Sequence, residues 1–245
     1  MTIKVIGGGW NIQSLDSTQK LADAVYEIFS ILVGKELEHD ILVNNDFSQG
    51  YPLAHYEKNN DCWEITLSCA SGTHWAQVGY QLAHELCHLY SNHSLSRGHK
   101  HKWFEESLCE CASIAVLSKL GADWTNFSIS EHNSNYGVSV TSYIQDVKDS
   151  VTHQFDSNTD FCSWLSSMIP QLEISSTQRD LNKAVAVFMF NSLFSNSQNA
   201  WSAVITLNLW DCFKDIDFNS FVDNWLLSSN GNNNEVTSIV GLLRA

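Results

Sequence analysis

The segment YQLAHELCHLY, residues 80–90, constrains this chain more than any other stretch. His84 and His88 stand four apart with Glu85 directly after the first, the His-Glu-x-x-His pattern of helix-borne zinc sites. At 100° per residue the two imidazoles lie about 40° apart on a helix. Glu85 is at the margin of their stripe, and Val78, Leu82, Leu86 and Leu89 cover the other side. An amphipathic helix whose polar stripe holds ring nitrogens and a carboxylate, rather than lysines, must pack beside an element that supplies the remaining ligand. A catalytic zinc takes three protein ligands and a water, so two histidines are not enough.

Exclusion narrows the third ligand. The metzincin pattern needs glycine three and histidine six residues after the second histidine, where this chain has Ser91 and Ser94. The inverted His-x-x-Glu-His motif is absent, and Cys62 and Cys69 lie in no segment of the deformylase kind. Carboxylates remain. The segment KWFEESLCECAS, residues 102–113, opens the next predicted helix with Glu105, Glu106 and Glu110. Glu106 and Glu110 are i, i+4 neighbours, an arrangement of like charges that destabilises a helix. Their face also carries Trp103, Ile114 and Leu117 and reads as buried, where paired carboxylates need a cation or donors. One Zn2+ and its histidines supply both. Glu106 is then the third ligand, and Glu110 accepts the N–H of His84 or His88 from behind. An acidic first turn is also common in ordinary helices; the histidines upstream favour the functional reading.

The surrounding pattern predicts an α+β protein. TIKVI at 2–6, HDILVNN at 39–45 and CWEITLSC at 62–69 read as strands, the last half-buried at a sheet edge. Leu21, Ala24, Val25, Ile28, Phe29 and Leu32 recur at helical spacing from Asp16 to Val33. Further helices are predicted over 76–91, 103–120 (ended by Gly121), 138–151, 159–169, 177–195, 199–211 and 216–228, before a short apolar tail. Three parts follow: an N-terminal α/β part over 1–75, a metal-binding helix pair over 76–122 and a helical part over 123–245.

Composition limits the partners. A net charge of −14 on 245 residues disfavours nucleic acid and anionic membrane surfaces. The longest apolar run, AVAVFMF, is too short to span a bilayer. The start lacks the basic and apolar regions of a secretory signal, and seven cysteines without framework spacing suit free thiols. The expectation is a cytoplasmic protein. Gly7-Gly8-Gly9 predicts a turn, since Ile12 stands where a dinucleotide fingerprint needs glycine. His93, Arg97, His99, Lys100, His101 and Lys102 read as a solvated loop whose bases offset the acidic body. Cys87, Cys109 and Cys111 read as small buried thiols.

HELCH, a short loop, and then Trp103, Phe104, Glu106, Leu108 and Glu110 resemble the gluzincin group of zinc metallopeptidases, the thermolysin-like family. Small members often read Trp-Leu-x-Glu-Gly-Leu-Ala-Glu here; Ser107 and Cys109 replace the glycine and alanine with other small residues. The resemblance covers roughly residues 62–120. It implies a zincin-like fold with an edge strand before the metal helix, placed to pair with an extended substrate. It also implies peptide-bond hydrolysis through a zinc-activated water, with Glu85 as general base and a peptide or protein as substrate. The Gly-x-Met-Glu-Asn motif of one-zinc aminopeptidases is absent. Tyr136, Tyr143, His132 and His153 are the candidates for stabilising the oxyanion. A catalytically silent zinc-binding module, or a zinc hydrolase of a non-peptide amide or ester, are the alternative functions.

Overall fold

The computed structural model describes residues 1–10, 14–96, 99–211, 216–229 and 233–244. The chain divides into two compact units. One comprises Met1–Ile31, Lys35–Leu86 and Ala112–Asp149; the other comprises Leu32–Gly34, Cys87–Cys111 and Ser150–Ala245. Residues 76–122, read above as one helix pair, contribute to both.

In the first unit, β1 (Ile3–Val5), β2 (Ile41–Asn45), β3 (Leu53–Ala54) and β4 (Trp63–Leu67) form one sheet in the order β1-β2-β4-β3. β1, β2 and β4 run parallel, with Val5 beside Val43 and Val43 beside Ile65, while β3 lies antiparallel on β4. Ile41, Val43 and Ile65 are almost fully buried, as alternating branched residues on a covered face should be. The strand read as an edge, β4, is interior, because β3 pairs with its outer side. β3 was not predicted: two residues give no alternation to read, and Pro52 lacks the N–H needed to extend the ladder upstream. The helix α1 (Leu15–Val33) buries Leu21, Val25, Ile28 and Phe29, as its periodicity required.

The two predicted helices of the motif are α2 (Trp75–Tyr90) and α3 (Lys102–Ala122). Gly121 does not end α3 but lies inside it. A Cβ there would stand 2.7 Å from Thr141 Oγ1 and 3.2 Å from Thr141 N, so the missing side chain lets α4 (Gly137–Asp149) approach closely.

The second unit is helical. α5 (Asn158–Leu172) starts on Ser157, whose side chain accepts the Asp160 N–H, and α6 (Arg179–Met189) runs into a π turn at Phe190–Phe194. The predicted helix over 199–211 is instead a 3-10 segment, Gln198–Thr206. α7 (Phe218–Ser228) follows, and the apolar tail forms a last helix, α8 (Asn233–Leu243). Trp103, Trp201, Trp225, Phe104, Phe161 and Phe221 are among the large side chains of this core. The α+β class predicted from pattern therefore holds. Among the described residues, no helix is long and apolar enough to cross a membrane.

Candidate metal centre

The helix α2 forms because Val78, Leu82 and Leu86 recur on one side and are almost completely buried, which leaves the histidine stripe on another. Its partner α3 is covered nearly all round. Trp103, Phe104, Leu108, Cys109, Ile114 and Leu117 are all fully buried. The carboxylates of α3 therefore sit in a region where an uncompensated charge would be costly.

His88 Nδ1 lies 2.7 Å from Glu105 Oε1, and Glu105 is buried. The other oxygen of Glu105 accepts the Asn208 side-chain N–H at 2.8 Å, and the same amide also donates to Ser91 O at 2.8 Å. Burial alone raises the Glu105 pKa. The hydrogen bond and charge of His88, the charge of His93 and the Asn208 amide outweigh it and hold the carboxyl below its ordinary value. In the Nδ1–H tautomer His88 donates this hydrogen to Glu105, which puts the lone pair of the ring on Nε2, the atom that can bind a metal. Nε2 faces Glu106, whose Oε1 is 3.7 Å away.

His84 is one turn before His88 on the same unbroken helix. With Cys109 of α3 the two histidines form a group whose ligand atoms all lie within 4.8 Å of one another, a group that can hold a metal ion. Glu106 is not a member of that group. Two imidazoles with a thiol or a carboxylate nearby suit a borderline cation such as Zn2+, so the donor set fits the metal that the motif implies. Burial, followed by the adjacent Cys87 thiol, raises the Cys109 pKa well above the ordinary thiol value.

Glu85 is buried, and its Oε2 accepts the backbone N–H of Ala54 at 2.6 Å. His55, directly after β3, turns its N–H toward β4 and donates to Glu64 O at 2.9 Å. Alternation along the chain therefore aims the Ala54 N–H away from β4, where Glu85 accepts it. The carboxylate expected to act as base thus sits on the edge strand of the sheet, which is β3 rather than β4.

The sequence assigned the hydrogen bond behind a metal histidine to Glu110; for His88 that partner is Glu105. Glu105 stands in the first turn of α3 and was read only as one of three acidic residues there, so spacing alone did not single it out as the partner of His88 Nδ1. Asn208 went unnoticed, because it follows Glu105 by 103 positions and carries no motif.

The four oxyanion candidates lie in different surroundings. Tyr143 packs edge-on against Tyr80 with ring centres 5.7 Å apart, and Tyr80 is one turn before His84 on the histidine stripe. Tyr136 packs on Trp75 and Trp124, and His132 pairs with Asp16, both near the start of α2. His153 lies against Trp164 of α5.

The basic loop is not the solvated connection expected. His93, His99 and His101 are buried, while Arg97 lies outside the described residues. His101 Nε2 meets Ile216 O at 2.7 Å, and both His99 and His101 pack on the Phe221 ring. Neutral imidazoles tolerate this setting, whereas charged ones would not. Burial lowers both pKa values, that of His99 to about 4.

No family model, no curated protein and no solved structure matches this chain.

Proposed function

We propose that the chain is a zinc-dependent hydrolase of peptide bonds with a zincin-like site. The observation that carries this reading is the pairing of His88 Nδ1 with the buried Glu105 at 2.7 Å. A buried carboxylate that fixes one ring nitrogen and leaves the other facing a second carboxylate is what a metal-binding histidine requires, and a surface histidine has no need of it. His84, His88 and Glu106 would hold the ion. Glu106 is the preferred third ligand because its oxygen is on the Nε2 side of His88. Cys109 is the competing donor.

Bound Zn2+ supplies a Lewis acid that brings the pKa of a coordinated water near neutrality. Glu85 is the proton carrier: it takes a proton from the attacking water and returns it to the leaving amine. Its hydrogen bond from the Ala54 N–H ties the carboxylate to the edge strand β3. Tyr143, packed beside the histidine stripe, is the best-placed of the four candidates for donating to the developing oxyanion.

The test uses the zinc-loaded protein and its Glu85→Gln variant on a mixture of quenched-fluorescent peptides. Hydrolysis by the parent, lost in a variant that keeps its zinc, supports the reading. Equal hydrolysis by both removes Glu85 from the mechanism. Zinc binding without hydrolysis of any peptide favours the silent zinc module.

A further inference from the structure

The structure assigns Asn208 as a positioning residue for the metal centre, acting through Glu105 on His88; the inference rests on the zinc reading above. Asn208 is 1% exposed, and its backbone is left-handed at φ 64°. That conformation is uncommon for a residue with a side chain, and asparagine is among the few that adopt it readily. Here it turns the amide inward. One Nδ2 group donates to Ser91 O, which follows the last turn of α2, and to Glu105 Oε2 on α3, each at 2.8 Å.

Glu105 therefore has a fixed partner on each oxygen: Asn208 on Oε2 and His88 on Oε1. A carboxylate held at one oxygen cannot swing away from the imidazole at the other. His88 is consequently kept in the Nδ1–H tautomer, with Nε2 presented to the ion. Asn92 makes a parallel link. It is also left-handed, at φ 56°, and its amide donates to Ile205 O and Leu207 O at 2.9 Å. These two bonds fix the backbone on either side of Thr206, directly before Asn208, so the amide that reaches Glu105 stands on an anchored loop. The loop before α7 thereby becomes part of the metal-binding machinery without contributing a ligand.

The experiment is a double-mutant cycle on zinc affinity in the full chain, measured by competition with a chromophoric chelator. It compares the parent, Asn208→Gly, Glu105→Ala and the double variant; glycine removes the amide but keeps the left-handed backbone free of strain. Asn208→Gly should weaken zinc binding about tenfold, the lower end for groups behind a metal ligand. In the Glu105→Ala background the same change should have almost no further effect, because the route to His88 is already cut. The d–d bands of the Co2+-loaded protein should shift in Asn208→Gly, which a remote loss of stability would not produce.

Zinc affinity unchanged in Asn208→Gly, or a tenfold loss repeated in full without Glu105, overturns the assignment while leaving the zinc site standing. A parent that takes up no zinc overturns both readings. If Asn208→Gly does not fold, Asn208→Asp carries the same measurement. It keeps the shape and the backbone preference but faces Glu105 with an acceptor.

Discussion

Glu85 and Ala54, thirty-one residues apart, are joined by a 2.6 Å hydrogen bond from the backbone N–H of the edge strand to the buried carboxylate. With the mechanism proposed above, Glu85 has two separable duties, one structural through this bond and one chemical. Glutamine keeps a carbonyl oxygen for Ala54, so Glu85→Gln should fold with nearly parental stability and retain zinc. Its hydrolytic rate should fall by about 10²–10⁴, the usual worth of a positioned acid–base group. Glu85→Ala leaves a buried N–H unpaired and should cost a further 1–3 kcal/mol or so in urea unfolding. Equal stability of the two variants would show that the bond contributes nothing to the fold.

The third metal ligand separates two variants on α3. Glu106→Gln should lower zinc affinity by more than about a hundredfold, beyond the effect typical of groups behind a ligand. Cys109→Ser should change it by less than about tenfold, the lower end for groups behind a metal ligand. The reverse order would hand the role to Cys109. A strong thiolate-to-cobalt charge-transfer band in the Co2+-loaded parent would point the same way.

Stability should fall in acid along a limb set by His99. In the folded chain burial lowers its pKa from 6.5 to about 4, so below 6.5 the unfolded state binds more protons than the native state. Stability is therefore full above pH 6.5, declines between 6.5 and about 4, and does not recover below that. The interval from 6.5 to 4 corresponds to on the order of 3 kcal/mol for this one buried ring. Urea midpoints measured across that range should flatten in His99→Gln. An unchanged slope would mean that His99 titrates normally.

Gly121 is the next-to-last residue of α3, within a helix, where alanine ordinarily adds stability. Here a Cβ would come within 2.7 Å of Thr141 Oγ1 and 3.3 Å of Gly137 O, so α4 would have to move. Gly121→Ala should lower the thermal midpoint, by an amount equivalent to about 1–3 kcal/mol of overpacking. A rise would show that the α3–α4 approach yields without strain.

Asn182, Asn208 and Glu105 show where reading by pattern stops. Each is a polar residue buried by the fold, and each is committed to a hydrogen bond set by packing: Asn182 Nδ2 to Ser176 O at 2.6 Å, Asn208 and Glu105 to one another. A single polar letter looks the same whether its partner is water or a buried carbonyl. For the same reason the buried imidazoles His99 and His101 were read as solvated bases.

By itself the sequence determined what is local and periodic. The helices α1, α2 and α3, the strands β1, β2 and β4, the α+β class and the histidine stripe of α2 all follow from side-chain spacing, because burial of one face selects the period. The tertiary structure decided the rest. It set Glu105 against His88 Nδ1, brought Cys109 near the histidines, covered β4 with a two-residue strand and carried Asn208 to the back of Glu105. Those outcomes depend on the rotation of whole helices and on contacts between residues up to 103 positions apart, and no spacing within one segment encodes either.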